Sequence, residues 1–128
     1  MSVDSVSLAR FVCGEIDSRA FPHGEHVRMA FEMLRRHDFT ETALHYSRAL
    51  RAMTEKAGKP EAFHQTLTVA FLALIAERLA TGGHSDFGAF VAANPDLMDK
   101  SVLARWYSPQ RLASDAARTT FILPDLIR

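Results

Sequence analysis

The stretch from Leu67 to Ile75 limits the fold more than any other part of the chain. Leu67, Val69, Ala70, Phe71, Leu72, Leu74 and Ile75 are all apolar, so a helix built from them is apolar around most of its circumference. Such a helix needs neighbours on several sides. Pro60 and Gly82-Gly83 flank it, and the helix is predicted from Pro60 or Glu61 to about Leu79, at the centre of the molecule. Its longest apolar run, Val69 to Ala76, is far shorter than the ~20 residues of a membrane-spanning helix, so no membrane crossing is expected.

Three amphipathic segments supply the neighbours. In the first, about Asp4 to Ile16, residues Val6, Leu8, Phe11, Val12 and Ile16 form an imperfect helical stripe. The second begins after Phe21-Pro22 and runs to about Arg36, with Val27, Ala30, Phe31 and Leu34 at three-and-four spacing. The third follows Asp38, with Thr40 as its predicted cap, and ends at Ala57 before Gly58. Its predicted buried stripe is Phe39, Ala43, Tyr46, Leu50 and Met53.

Beyond the central helix the pattern shortens. A helix is predicted over Asp86 to Ala93, Asn94-Pro95 breaks the chain, and Ser108-Pro109 opens another helix running towards Arg118. The tail Phe121-Ile122-Leu123-Pro124 is expected to dock on the rest. Period-two apolar segments joined by hairpin turns are absent from the sequence. The expectation is an all-α fold: an antiparallel bundle of about four main helices with a short-helix C-terminal extension, in one domain over residues 1–128.

Fifteen basic and fifteen acidic residues cancel, so the chain lacks the net positive field that favours nucleic acid or anionic membranes. Arg35, Arg36, Arg48, Arg51, Lys56 and Lys59 are interspersed with acidic residues and read as a solvated face. One cysteine, Cys13, cannot form an internal disulfide, which fits a reducing compartment. The N-terminal residues lack a signal-peptide pattern, and the expected location is cytoplasmic. Cys13 itself is predicted to be a buried structural residue.

The chemistry-bearing signal lies in the histidines. Short connections favour antiparallel neighbours, so the second and fourth helices should start at the same end of the bundle. That places His23 and His26, in the first turn of the second helix, level with His64, in the predicted first turn of the fourth. Three neutral imidazoles could hold zinc or another first-row divalent ion. Glu61, three residues before His64, would be a further carboxylate ligand, and Thr66 or Thr68 could orient an imidazole. An ion with an open position would polarise water for hydrolysis or transfer.

The alternative is a non-catalytic protein-interaction module or homo-oligomer whose histidines are structural. Partners on these readings are a small molecule, another protein or a second copy. His37, His45 and His84 fall elsewhere along the chain and are left out of the site.

Phe21-Pro-His-Gly-Glu-His26, Phe63-His-Gln-Thr-Leu-Thr68 and Tyr107-Ser108 with Leu112, Ser114 and Ala117-Arg118 resemble the segments of a family of small uncharacterised bacterial helical proteins. The resemblance spans most of the chain and nominates His23, His26, His64, Tyr107, Ser114 and Arg118. In that family an acidic residue follows the position of His64, where this chain has Gln65, so a role for that acid does not carry over. Tyr107 and Arg118 are read as ties between tail and bundle. The histidines also look distantly like those of DinB-type metal-binding bundles, with different spacing, and that analogy implies only a divalent ion.

Overall fold

A computed structural model describes residues 3–82, 84 and 86–126, with side chains from residue 8 onward. Gly83, half of the glycine pair expected to end the central helix, lies outside the described residues. The chain forms α1 (Val3–Val12), α2 (His23–Arg36), α3 (Phe39–Lys56), α4 (Gln65–Thr81), α5 (Phe87–Ala93), α6 (Pro109–Ala113) and α7 (Asp115–Thr119). Single 3-10 turns cover Ser18–Ala20, Pro60–Ala62, Pro95–Met98 and Val102–Arg105, and no strand occurs among the described residues.

The expected all-α architecture is therefore present: four longer helices followed by short ones. Helices α2, α3 and α4 all touch one another, and α4 also meets α7 and the Val102–Arg105 turn. This central role follows from its sequence, since Phe71, Leu72, Leu74 and Ile75 bury side chains pointing in several directions. The main core continues through Val27, Phe31, Tyr46, Phe90 and Leu97. Phe11 joins α1 to it, stacked on Phe21 at 5.1 Å and tilted against Tyr46 at 5.4 Å.

Several boundaries differ from expectation for local reasons. α1 ends at Val12, and Gly14 turns the chain with φ +74°, a conformation glycine adopts without a Cβ penalty. Cys13 consequently lies in the turn and is exposed, which corrects the expected buried cysteine. Asp38, rather than Thr40, caps α3 by accepting a hydrogen bond from the Glu41 amide at 2.8 Å. Tyr46, Leu50 and Met53 are buried as expected, joined by Thr42 and Ala49, while Phe39 is 37% exposed.

The largest boundary change is at α4. Pro60–Ala62 forms a separate 3-10 turn, Phe63 is extended, and the α-helix starts at Gln65. His64 is the N-cap residue and not a member of the first turn. The C-terminal region also divides where one helix was expected, because Ser114 leaves helical geometry to cap α7 through the Ala117 amide. Arg78 ties the intervening segment to α4 by pairing with Asp96 at 2.9 Å and reaching the Asn94 side chain at 2.9 Å.

Candidate functional site

His23, His26 and His64 line one pocket of about 240 Å³. Its histidines come from the start of α2 and the cap of α4, and α3 contributes Tyr46 from near its middle and Leu50 and Thr54 from its second half. This combination is what an up-down-up arrangement of the three helices produces. Phe63, Leu67, Phe71 and Leu103 add apolar wall, and Lys100 supplies the only formal charge among the described lining residues.

Each imidazole has a distinct environment. The Nε2–H of His64 donates to the Leu112 carbonyl at 2.7 Å, and its Nδ1 accepts the Leu67 amide at 3.1 Å. A carbonyl can only accept and an amide can only donate, so the tautomer is fixed and both nitrogens are engaged. His64 is a neutral structural link between the start of α4 and the C-terminal extension. Thr68 and Thr66 do not orient it: Thr68 donates to the His64 carbonyl, and Thr66 donates to Thr120.

His23 uses Nε2–H to reach the Leu97 carbonyl at 2.9 Å, leaving Nδ1 as an acceptor in the neutral ring. The His23 ring packs tilted on Phe71 at 5.2 Å and lies 6.2 Å from the ring of His26. His26 is partly buried against Phe21 at 4.6 Å. Burial first, then the neighbouring His23, lowers its pKa from 6.5 to about 4, against an opposing hydrogen bond to the Phe21 main chain. Desolvation, which disfavours the charged ring, is thus the main reason that His26 stays neutral.

The three rings share a pocket without forming a metal-ready cluster. Among the described residues, no group of three or more His, Cys, Asp or Glu side chains is gathered to hold an ion. Glu61 is exposed, and its main-chain carbonyl receives Arg118 Nη1 at 2.6 Å. Arg118 thus ties the extension to the turn before α4. Tyr107 has a similar role, donating to the Ile122 carbonyl at 2.8 Å, while Ser114 caps α7.

His37, His45 and His84 do not line the pocket. Sequence reasoning assigned Tyr46 only to the core and passed over Lys100 as a site residue. Lys100 follows the Pro95–Met98 turn, so no helical register links it to the histidines. A second groove, of about 330 Å³, lies between α3 and α4 and is lined in part by the exposed Leu44. Ser47 Oγ is buried beside that groove without a hydrogen-bond partner among the described residues.

No protein-family model matches the chain, and no match is found among curated proteins or solved structures. The chemistry of the pocket must carry the functional reading. No helix among the described residues is long and apolar enough to cross a membrane.

Proposed function

We propose that this protein binds a small molecule in the pocket between the starts of α2 and α4. The supporting observation is the joining of three histidines, Tyr46 and an apolar wall around one concavity of about 240 Å³. Pockets that bind small molecules typically combine apolar lining with a few convergent polar groups. By proportion to the ~150 Å³ cavity that takes up benzene, this volume suits on the order of ten non-hydrogen atoms.

Binding fits the polar groups better than turnover. Nucleophilic catalysis by a hydroxyl or thiol requires that it can pass its proton to a base. Here Tyr46, Thr54 and Thr68 donate to the carbonyls of His26, Arg51 and His64, and Cys13 does not line the pocket. With a pKa of about 4, His26 is also a weak base at neutral pH. It remains a good hydrogen-bond acceptor.

Benzyl alcohol is a suitable first probe in protein-observed NMR. It should shift the imidazole signals of His23 and His26 and the amide of Thr68, and Leu67→Trp, which adds bulk to the wall, should abolish those shifts. No saturable shift in the wild type, or shifts that survive in folded Leu67→Trp, would overturn the binding reading.

A second reading is the divalent-metal site at His23, His26 and His64, with zinc or another first-row ion supporting hydrolysis or transfer. The common pocket favours it. Ligation by His64 would require releasing either Leu112 or Leu67, and His23 would have to coordinate through Nδ1 or release Leu97. Elemental analysis of untagged protein reconstituted with zinc tests this directly. A near-stoichiometric ion that is lost in folded His64→Ala supports the site, whereas no ion, or one retained in that variant, rejects it.

A further inference from the structure

Resting on the small-molecule reading, we propose that the ligand class is a compact hydroxycarboxylate with an apolar body. The pocket residues have few donors still available and several acceptors. The hydroxyls of Tyr46, Thr54 and Thr68 already donate their protons to main-chain carbonyls. Each retains oxygen lone pairs and no further proton to offer.

The imidazoles point to the same complement. His64 has both nitrogens engaged. The neutral ring of His23 retains Nδ1 as an acceptor, since Nε2–H is held by Leu97. Neutral His26 keeps one ring nitrogen as an acceptor. The pocket is therefore rich in acceptors, and a complementary ligand brings an O–H or N–H donor.

Lys100 decides the rest of the ligand. It lines the exposed side of the pocket and has no ion-pair or hydrogen-bond partner among the described residues. No carboxylate joins it in the described lining; the nearby Asp99, close enough to His23 to feel its charge, is held by the amide and hydroxyl of Ser101. A ligand ammonium would lose hydration with no carboxylate in the described lining to pair with, and would face Lys100 as well. The donor is thus an uncharged group, for which a hydroxyl is the simplest choice, and a carboxylate is the simplest organic anion to pair with Lys100. Leu50, Phe63, Leu67, Phe71 and Leu103 receive the apolar body.

Calorimetric titration of the full chain with three probes tests this assignment. Mandelate carries hydroxyl, carboxylate and ring; phenylacetate lacks the hydroxyl; benzyl alcohol lacks the carboxylate. Mandelate should bind about three- to tenfold more tightly than either, the range expected from one added hydrogen bond or charge contact. Lys100→Ala should reduce mandelate affinity to that of benzyl alcohol and leave benzyl alcohol unchanged.

If benzyl alcohol binds in the pocket but mandelate binds no more tightly, the hydroxycarboxylate assignment fails and the pocket reading stands. If mandelate affinity is indifferent to Lys100→Ala, the assignment of the anion fails. If none of the three perturbs the pocket residues, both the assignment and the small-molecule reading fall. Lys100 is exposed, so its replacement is expected to leave the fold intact.

Discussion

In the bundle, Phe31, Leu72 and Ile75 are fully buried and the chain is held by apolar contact. The strap from Thr120 to Leu126 is held in the opposite manner. Phe121 and Leu123 leave 41% and 68% of their surface exposed, while the strap's main chain is bonded by Thr66, Tyr107 and Arg111. The bundle depends on which residues are apolar, and the strap on where a few donors meet carbonyls. These two kinds of attachment should respond differently to substitution.

The largest effect is expected from Leu72→Ala. Truncating a fully buried leucine removes transfer energy and leaves a cavity, typically costing about 2–5 kcal/mol. Chemical denaturation should show that loss in one transition, with the strap released as its docking surface on α4 unfolds. Strap amides that remain protected after α4 has unfolded would show that the two regions are independent and break the comparison.

His26 gives the next effect and concerns the pocket end of the bundle. Its folded pKa, about 4, lies below the ordinary 6.5, so the unfolded chain binds the proton more readily. The associated stability is full above pH 6.5 and is lost as pH falls towards 4, by up to about 3 kcal/mol. Denaturation midpoints at pH 7 and 4.5 should differ in the wild type and much less in His26→Asn. Equal slopes in the two proteins would remove His26 as the source.

The contrast between bundle and strap also explains what the sequence could convey. α2 and the end of α3 were legible because Val27, Ala30, Phe31, Leu50 and Met53 repeat at helical spacing. The start of α4 was not, because Pro60 resembles a helix opening and histidine is not among the usual capping residues. His64 can cap only because Leu112, far along the chain, holds its other nitrogen and fixes the tautomer. The break at Ser114 had a local signal, since its serine repeats the capping role of Ser108. The convergence of His23, His26 and His64 could be anticipated from helix direction, but the hydrogen bonds that occupy their nitrogens and the approach of Lys100 could not.

Thr66→Val tests the strap with little change in shape. Thr66 Oγ1 donates to the Thr120 carbonyl at 2.8 Å and accepts the Ile122 amide at 3.1 Å. Valine would leave both main-chain groups without that partner, at about 1–3 kcal/mol. Hydrogen exchange should accelerate around Ile122 before it does so in α4. Uniform acceleration throughout the chain would mean that the strap and bundle open as one cooperative unit.

The smallest effect is expected at the strap's outer latch, where Asp125 accepts hydrogen bonds from the Ser108 hydroxyl at 2.6 Å and amide at 2.8 Å. These bonds hold the Asp125 pKa below the usual carboxylate value of 3.8. The latch contribution is therefore full above pH 3.8 and disappears as pH falls through the lower folded value. Because Asp125 is solvent-exposed, water competes for the same partners and limits the effect. Asp125→Asn should speed exchange of the Leu126 amide, which bonds to the Trp106 carbonyl, without moving the global denaturation midpoint. A large midpoint shift would show that the strap's edge, and not only its bond to Thr66, supports the bundle.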